Sequence, residues 1–362
     1  MRYMILVCWI CLLLTSPLGQ ARAEPRPDLV DAAGRKVSPP VDPARIVCLG
    51  PGCLRLVVYL QALDKVVGVE GLERRMGGRP YYLAQRRTLD RLPVVSPGGP
   101  AAINRKPDLE SILRVKPQVV FVTYMEAALA DEVQALLGTP VVVLTYGRLA
   151  AFDERVYDSL RLAGRILDRT ERAEEVIGLI EAGREDLLRR VRGLDEAAKP
   201  LAYVGGIGFR GAHGLESTDS LYIPFTWLKA RNAAAGLSDQ GHLMIDKERL
   251  LLLQPGVLFV DGGGLELARS DFGRKPAFYR SLKAVREGRV HLLYPYNWYA
   301  TNIGTALADA FAIGRILHPD RFRDLDPVQK ADQIYASLVG RPVYRDMAGL
   351  YGPLGGRPGF LK

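Results

Sequence analysis

Cysteine and histidine are both scarce in this chain of 362 residues, which has four of each. Two of the cysteines lie in the first 23 residues, and the other two, Cys48 and Cys53, stand close together in the segment CLGPGC. No second pair follows that could complete a tetrahedral zinc site. In an oxidising compartment Cys48 and Cys53 could form a disulfide or remain as two buried thiols, and the sequence leaves both alternatives open.

The four histidines, His213, His242, His291 and His318, all lie in the second half of the chain. The first half can therefore supply no imidazole to a metal site shared between the two halves. His213 and Glu216 have a spacing that would suit a bare-metal site on a helix, but a chelate whose metal is already coordinated needs no imidazole from the protein. We therefore expect no directly bound metal ion.

Catalytic motifs are also missing. No Gly-x-Ser-x-Gly segment occurs, and the cysteine pair has no histidine in its own half. Ser217, His213 and Asp219 in HGLESTDS are the residue types of a catalytic triad, but so short a turn cannot readily align them. The glycines of GGIGFRG have dinucleotide-site spacing, yet the turn-like AHGLESTDS that follows opens no helix. We therefore expect no catalytic residue and no cofactor. A hydrolase is the alternative from a second class of function.

Only the N-terminus contains a long apolar run. It reads MRYMILVCWICLLLTSPLGQARAEP, with Arg2, an apolar stretch over residues 4–14, and Ala-Arg-Ala at residues 21–23. This arrangement is typical of a cleaved export signal, and the apolar stretch is too short to span a bilayer comfortably. We expect residues 1–23 to be removed and the rest of the chain to reach a bacterial periplasm.

The basic residues show no concentration in any one part of the chain. Without Arg2 and Arg22 the formal net charge falls from +9 to +7, because residues 1–23 contain no acid. Scattered basic residues weakly favour an anionic ligand and give little reason to expect nucleic acid as a partner.

Short apolar runs alternate with longer amphipathic stretches, which is typical of parallel strands linked by helices. We predict strands near residues 46–49, 66–69, 119–123 and 141–145, and a second series near 201–204, 257–260 and 290–293. Between the series, apolar residues recur at steps of three and four, which predicts one long helix. The expected organisation is a first α/β lobe over residues 24–168, a connecting helix over 169–198, and a second α/β lobe over 199–362.

One helix-to-strand unit occurs twice. PDLESILRVKPQVVFVTY and IDKERLLLLQPGVLFVDG each have a Glu, a Pro seven residues later and a Val-rich strand after it. The glutamates are Glu110 and Glu248. The repeat indicates two lobes of similar construction, although chance likeness of two ordinary α/β units is the alternative.

Four segments, in this order, carry a resemblance to a known family. They are DAAGRKVSPPVDPARIVCLGPGCLRLVVYLQALDKVVGVEG, KPDLESILRVKPQVVFV, ERLLLLQPGVLFVDGG and YNWYATNIGTALADAFAIGRIL. The chain resembles the periplasmic substrate-binding proteins of ABC importers that handle iron–siderophore, haem, cobalamin and related metal chelates. The resemblance implies a class III periplasmic binding protein-like fold, α/β, with two Rossmann-like lobes joined by a single long helix.

The resemblance also implies partners. A glutamate on each lobe of such proteins docks into arginine pockets of the inner-membrane ABC permease, which places the docking acids at Glu110 and Glu248. The chain itself is expected to act as a monomer. Its cargo is expected to be an iron–siderophore or related metal chelate, while haem, cobalamin and an oxyanion such as molybdate remain alternatives.

Open α/β sheets bind ligands at the carboxyl ends of their strands, so the ligand-binding residues should lie in the loops that follow the predicted strands. Arginines there could bind carboxylate or catecholate oxygens in a bidentate manner, and the segment YPYNWY is rich in amphipathic rings. Trp227, in the apolar run YIPFTWLKA, is instead expected in the core. The candidate ligand-binding residues are Gly52, Arg74, Tyr124, Arg148, Phe209, Arg210, His213, Tyr294, Tyr296, Asn297 and Trp298.

Overall fold

The structure, a computed structural model, describes residues 29–75, 77–148, 152–209 and 211–361. The predicted export signal lies outside these ranges. Within them, no helix combines the length and the apolar composition that crossing a membrane would require.

Among its described residues, the first half of the chain contains seven strands and six helices. The strands are β1 (Leu29–Val30), β2 (Lys36–Val37), β3 (Ile46–Leu49), β4 (Val66–Glu70), β5 (Val94–Ser96), β6 (Val119–Thr123) and β7 (Val141–Leu144). The helices are α1 (Cys53–Tyr59), α2 (Gly71–Arg75), α3 (Pro80–Leu89), α4 (Leu109–Arg114), α5 (Ala127–Leu137) and α6 (Arg155–Ile166).

The second half follows a long helix, α7 (Thr170–Val191). Its strands are β8 (Leu201–Gly205), β9 (Ser217–Asp219), β10 (Arg231–Asn232), β11 (His242–Met244), β12 (Val257–Asp261) and β13 (Val290–Leu293). Its helices are α8 (Ile223–Leu228), α9 (Lys247–Leu253), α10 (Leu265–Arg274), α11 (Pro276–Ser281), α12 (Lys283–Arg286), α13 (Ile303–Leu317), α14 (Pro327–Val339) and α15 (Tyr344–Tyr351).

Each lobe is built around a parallel sheet. The first sheet has the order β5–β4–β3–β6–β7, and the second has the order β10–β8–β12–β13. Strands β6 and β12 are buried along their whole length, as expected for Val-rich strands covered on both faces by helices. Two antiparallel pairs, β1–β2 and β9–β11, lie outside these sheets. The α/β fold class predicted from the sequence is confirmed.

Helix α7 joins the lobes and contacts both of them. The Arg172 side chain donates hydrogen bonds to the carbonyls of Tyr59 and Ser337. The predicted connecting segment, residues 169–198, is longer than this helix. The helix stops at Val191 because Gly193 follows with φ of +75°, a left-handed conformation that ends helices.

The C-terminal helices return to the first lobe. The Gln85 side chain of α3 donates to the carbonyl of Val339 at the end of α14, at 3.1 Å, and Arg341 donates to the carbonyl of Leu83 at 2.7 Å. One cluster of buried apolar side chains runs from the first lobe through α7, α13 and α14 into the second. The two lobes therefore share a core, which limits their independent movement.

Candidate functional site

In the first sheet, the side on which successive strands are added reverses at β3. Strand β4 lies on one side of β3 and β6 on the other, so the crossovers leave in opposite directions and a crevice opens at the carboxyl ends. A cavity of about 350 Å³ lies there, and we call it the switch-point cavity. Its lining residues are Leu49, Gly50, Glu70, Ser96, Pro97, Gly98, Ala101, Ala102, Ile103, Asn104, Arg105, Lys106, Pro107, Asp108, Val122, Thr123 and Met125.

Glu70, at the end of β4, supplies a carboxyl group to this cavity. Its Oε1 accepts a hydrogen bond from the amide of Gly50 at 3.0 Å, and its Oε2 accepts one from the hydroxyl of Tyr299 at 2.6 Å. Burial raises the pKa of Glu70 to about 7, although the hydrogen bonds from Tyr299 and Gly50 act in the opposite direction. The cavity therefore carries only part of a negative charge from Glu70 at neutral pH.

The rim of the switch-point cavity is formed by residues 97–108, which connect β5 to α4. Arg105 and Lys106 are exposed there. Lys106 pairs with Glu132, whereas the Arg105 guanidinium has no partner among the residues that the structure describes. Ser96 adds a buried hydroxyl. The rim thus offers one uncommitted cation beside a polar group.

A buried arginine ties the second lobe to the first. Arg55, in α1, is fully buried. Its Nη1 donates to the carbonyl of Thr301 at 2.7 Å, and its Nη2 donates to the carbonyls of Trp298 and Tyr299, both at 3.0 Å. Residues 298–301 belong to the loop after β13. Arg55 therefore holds this loop against the first lobe.

Tyr299 makes a second connection between the lobes. Its hydroxyl donates to Glu70 and accepts a hydrogen bond from the amide of Gly99 at 3.0 Å. Glu70 lines the switch-point cavity, so a second-lobe side chain is hydrogen-bonded to the wall of the cavity without lining it. The site thus uses both lobes, although the lining itself comes from the first.

Tyr124 and Arg148, predicted to bind ligand, follow β6 and β7. The hydroxyl of Tyr124 is buried and has no hydrogen-bond partner in the described structure, and the backbone there has φ of +58°. Arg148 is exposed. Burial raises the pKa of Asp219 to about 6, while the charge of Arg148 opposes this. Arg148 therefore acts across the interface on an acid of the second lobe.

Three more of the predicted ligand-binding residues, Gly52, Arg74 and Arg210, lie in separate places. Gly52 has φ of +76°, and its carbonyl accepts a hydrogen bond from the Tyr146 hydroxyl at 3.0 Å. Arg74 is exposed at the end of α2. Arg210 lies outside the described residues. None of these observations connects the three residues to one another.

In the aromatic loop after β13, two tyrosines lie elsewhere than predicted. Tyr294 and Tyr296, expected to line the cleft, are buried in the second lobe. Tyr294 packs against Tyr344 and Tyr351, and Tyr296 packs against Tyr222. The ring content of YPYNWY did not reveal that these two rings turn inward. In this structure they provide packing rather than a surface for a ligand.

Other residues of the predicted second-lobe site stay near the surface. Phe209 is 41% exposed and stacks on His242 with ring centroids 4.2 Å apart. A ring nitrogen of His213 lies 2.8 Å from the carbonyl of Phe209. Asn297 donates to the carbonyl of Gly208 at 3.2 Å, and Trp298 is partly exposed. These residues form an aromatic surface separate from the switch-point cavity.

The histidine beside Ser217 is His242, from the partner strand β11. The Ser217 hydroxyl lies 2.9 Å from His242 Nε2 and donates to the carbonyl of Ile207 at 2.6 Å. Across the described ranges, no three His, Cys, Asp or Glu side chains lie close enough together to hold a metal ion. Trp227 is buried, which confirms its predicted place in the core.

Cys48 and Cys53 are free, buried thiols, so the disulfide alternative is wrong for this structure. Cys48 lies on the central strand β3 and Cys53 at the start of α1, and both side chains belong to the core. Burial, followed by a hydrogen bond to Cys48, raises the pKa of the Cys53 thiol well above its ordinary value. The Cys53 thiol therefore stays protonated.

The two predicted docking acids occupy equivalent positions. Asp108 caps α4 by accepting a hydrogen bond from the amide of Ser111, and Asp246 caps α9 by accepting one from the amide of Arg249. Glu110 and Glu248 are each two residues after the cap. Both are exposed. An acid in the first turn is stabilised by the helix dipole, so this geometry also has a purely structural cause.

The profile of the periplasmic binding protein family matches residues 46–296, which include both sheets and the helix between them. This chain belongs to the periplasmic binding protein family. Members of this family bind a solute and deliver it to a membrane permease without changing it chemically. The periplasmic binding protein described here is therefore not an enzyme.

Known relatives share its sequence and fold over most of their length. The molybdate-binding protein MolA of Haemophilus influenzae is 22% identical over 329 residues, which cover 85% of this chain and 89% of MolA. The structure of MolA bound to molybdate has a TM-score of 0.67 at 20% identity and covers 87% of this chain and 98% of that one.

Two further solved structures have the same fold. A periplasmic solute-binding protein from Veillonella parvula has a TM-score of 0.70 at 19% identity, covering 90% of this chain and 96% of that one. An Fe³⁺-hydroxamate transport protein from Saccharomonospora viridis has a TM-score of 0.54 at 19% identity, covering 80% and 98%.

Several site residues escaped the sequence analysis. Arg105 and Tyr299 were not candidates, because each lies in a loop whose path depends on tertiary contacts, and Ser96, the last residue of β5, was not a candidate because β5 was not among the predicted strands. Arg55 was not a candidate either, since an arginine in an apolar helix gives no sign of which carbonyls it will contact. The only available signal was the position of Glu70 and Ser96 at the ends of strands, which is where open α/β sheets place their sites.

Proposed function

We propose that this periplasmic binding protein captures a small oxyanion in the periplasm and passes it to the permease of an ABC importer. The observation that carries this proposal is the switch-point cavity, which combines a small volume with the uncommitted guanidinium of Arg105 on its rim. Its position at the carboxyl ends of β3, β4 and β6 is the one where open α/β sheets bind ligands.

The volume of the cavity supports a small ligand. At about 350 Å³ it is at the lower end of the range of about 300–1,000 Å³ that holds drug-sized ligands. Arg55 and Tyr299 hold the second lobe directly against the first beside it. A bulky chelate would have to displace these contacts, whereas an anion of a few atoms would not.

The polar groups of the cavity also support an anion. Arg105 has no competing partner in the described structure, and a guanidinium can donate two parallel hydrogen bonds to an oxyanion. Ser96 adds a hydroxyl that can donate. Because the pKa of Glu70 is raised to about 7, repulsion from its carboxyl group is reduced at neutral pH and below. That the relative MolA binds molybdate agrees with this ligand class.

The test is a calorimetric titration of the purified protein with molybdate. Ala102→Phe fills the cavity and should weaken binding by at least about tenfold, because the ring takes the space of the ligand. The matched control is Ala135→Phe, which places the same ring in a surface groove on the other side of the lobe and should leave binding unchanged. Equal affinities for both variants, or no binding by the wild type, would contradict the proposal.

A metal chelate such as an iron–siderophore is the second candidate. It is favoured by the aromatic surface of Phe209 and His242, since exposed rings suit a large ligand with an apolar body. Haem and cobalamin would use the same surface. Titration with a ferric hydroxamate distinguishes the candidates: binding that is lost in Phe209→Ala and retained in Ala102→Phe favours the chelate.

The cellular role also belongs to this proposal. The protein acts in the periplasm as a monomer, after removal of residues 1–23, and docks on the permease through Glu110 and Glu248. Both acids are exposed and occupy equivalent helix positions, which supports a shared role. Glu110→Arg and Glu248→Arg should abolish uptake by cells while leaving ligand affinity unchanged, because a reversed charge is repelled by a basic pocket. Normal uptake by the double variant would contradict docking.

A further inference from the structure

The switch-point cavity, to which we assign an anion, has an acid in its wall. Glu70 ends β4, lines the cavity and is only 3% exposed. A second negative charge within about 4–6 Å disfavours the ionised form of a carboxyl group, and a cavity of about 350 Å³ leaves a bound oxyanion little room to stay farther away. An anion in this cavity therefore requires either a neutral Glu70 or a cation beside it.

The titratable groups that face Glu70 from the interior supply no such cation among the described residues. Glu73 of α2 and Arg79, just before α3, are both buried and form an ion pair at 2.9 Å, so their charges offset each other. Burial keeps the Cys53 thiol of α1 protonated. Burial, followed by the charge of Glu70, raises the pKa of the Tyr299 hydroxyl, so this group is also neutral.

The charged groups on the rim of the cavity are exposed and are screened by water and salt. Lys106 pairs with Glu132, and Asp108 caps α4. Arg105 remains to bind the ligand, and a guanidinium that donates to an oxyanion is no longer available to compensate Glu70. The surroundings of the cavity therefore favour a neutral Glu70 once an anion is present.

The hydrogen bonds of Glu70 show where its proton would be used. Its Oε1 accepts from the amide of Gly50 at 3.0 Å, and its Oε2 accepts from the hydroxyl of Tyr299 at 2.6 Å. The amide cannot accept, and the Tyr299 hydroxyl already accepts from the amide of Gly99 at 3.0 Å. A buried O–H group without an acceptor is unfavourable. An oxyanion in the cavity supplies the acceptor that these partners do not.

We propose that the oxyanion binds together with one proton, which passes from the solvent to the Glu70 carboxylate and is then donated in a hydrogen bond to a ligand oxygen. This proposal rests on the proposed function, because it takes the switch-point cavity as the anion site. Glu70 thereby selects oxyanions that carry no proton of their own, such as molybdate. An ionised Glu70 would instead require a ligand that donates, such as hydrogen phosphate.

The first experiment counts the protons taken up on binding. The purified protein is titrated calorimetrically with molybdate in buffers that differ in their enthalpy of ionisation. Molybdate remains a dianion between pH 6 and pH 8, so a proton taken up goes to the protein. Because burial raises the pKa of Glu70 to about 7, we expect uptake of about 0.1 proton per molybdate at pH 6 and about 0.9 at pH 8.

The second experiment assigns the proton to a residue. The wild type should bind molybdate about tenfold more weakly at pH 8 than at pH 6, whereas Glu70→Gln should show a ratio near one because an amide does not titrate. Asp261→Asn is the matched control. Burial also raises the pKa of Asp261 to about 7, but this residue ends β12 in the second lobe, outside the cavity, so the variant should keep the tenfold ratio.

The outcomes separate this inference from the proposed function. Molybdate binding without proton uptake at pH 8, or with the same pH dependence in Glu70→Gln as in the wild type, would overturn the inference while the anion site stands. Loss of the pH dependence in Asp261→Asn would assign the proton to the second lobe and also overturn it. The proton count uses the wild type alone, so it decides even if Glu70→Gln does not fold. If molybdate binds at neither pH, the proposed function is wrong and this inference falls with it.

Discussion

The two lobes have sheets of the same construction but different surfaces at the carboxyl ends of their strands. In the first lobe, β3, β4 and β6 end around the switch-point cavity. In the second, backbone segments pack closely where the strands end: a Cβ atom at Gly264 would lie 2.5 Å from the Cα of Gly206. The two lobes thus differ in their contribution: the first lobe lines the cavity, and the second lobe contacts its wall through the hydrogen bond from Tyr299 to Glu70.

This difference depends on a few contacts between the lobes rather than on the sheets. Residues 298–301 of the second lobe reach the first lobe, where they form hydrogen bonds with Arg55 and Glu70. Both partners in the first lobe are buried. The lobes also share a core through α7, α13 and α14, so these contacts lie within a single packed body.

The largest expected effect comes from removing Arg55. Arg55→Ala leaves the carbonyls of Trp298, Tyr299 and Thr301 without their donor and opens a void beneath the loop. We expect the free energy of unfolding to fall by about 3–5 kcal/mol, as for other broken buried polar contacts. Chemical denaturation measures this. Arg86→Ala, which removes an exposed arginine paired with Asp90, should cost less than about 0.5 kcal/mol. Similar losses for both variants would mean that Arg55 does not join the lobes.

The charge of Glu70 should give the next largest effect. Its pKa is raised from 4.5 to about 7 by burial, so the folded protein binds more protons than the unfolded chain between these pH values. The free energy of unfolding should therefore fall as pH rises from about 4.5 to 7, by roughly 3 kcal/mol for this residue. Glu70→Gln cannot ionise and should lack this part of the fall. Denaturation curves at pH 5 and pH 8 that change equally in both proteins would contradict the burial of the carboxyl group.

A smaller effect separates two tyrosine hydroxyl groups. Tyr299→Phe removes the hydroxyl that joins Glu70 to the amide of Gly99, and should cost about 1–3 kcal/mol of stability. Tyr124→Phe removes a hydroxyl that has no partner in the described structure, so its stability should change by less than about 0.5 kcal/mol. Thermal unfolding of the two variants side by side measures the contrast. Equal stabilities would mean that the hydroxyl of Tyr299 does not join the second lobe to Glu70 and Gly99.

The elements that could be predicted from the sequence are those with local causes. The strands and α7 follow from apolar periodicity, and the caps of α4 and α9 follow from an aspartate two residues before each glutamate. The family followed from the order of four segments. Burial of Tyr294 and Tyr296 could not be predicted. Whether a ring after a strand turns inward depends on the elements that pack against it, such as α15, which is distant in the sequence. The same reason hid Arg55 and Tyr299, whose partners lie more than 200 residues away.

The position of the bound ligand tests the division between the lobes most directly. Crystals of the protein grown with molybdate should be measured at the molybdenum absorption edge, where anomalous scattering locates the metal atom alone. We predict one anomalous peak inside the switch-point cavity, with oxyanion oxygens within hydrogen-bonding distance of Arg105 or Ser96. A peak on the second-lobe surface beside Phe209 and His213, with the cavity empty, would contradict the assignment of ligand binding to the first lobe.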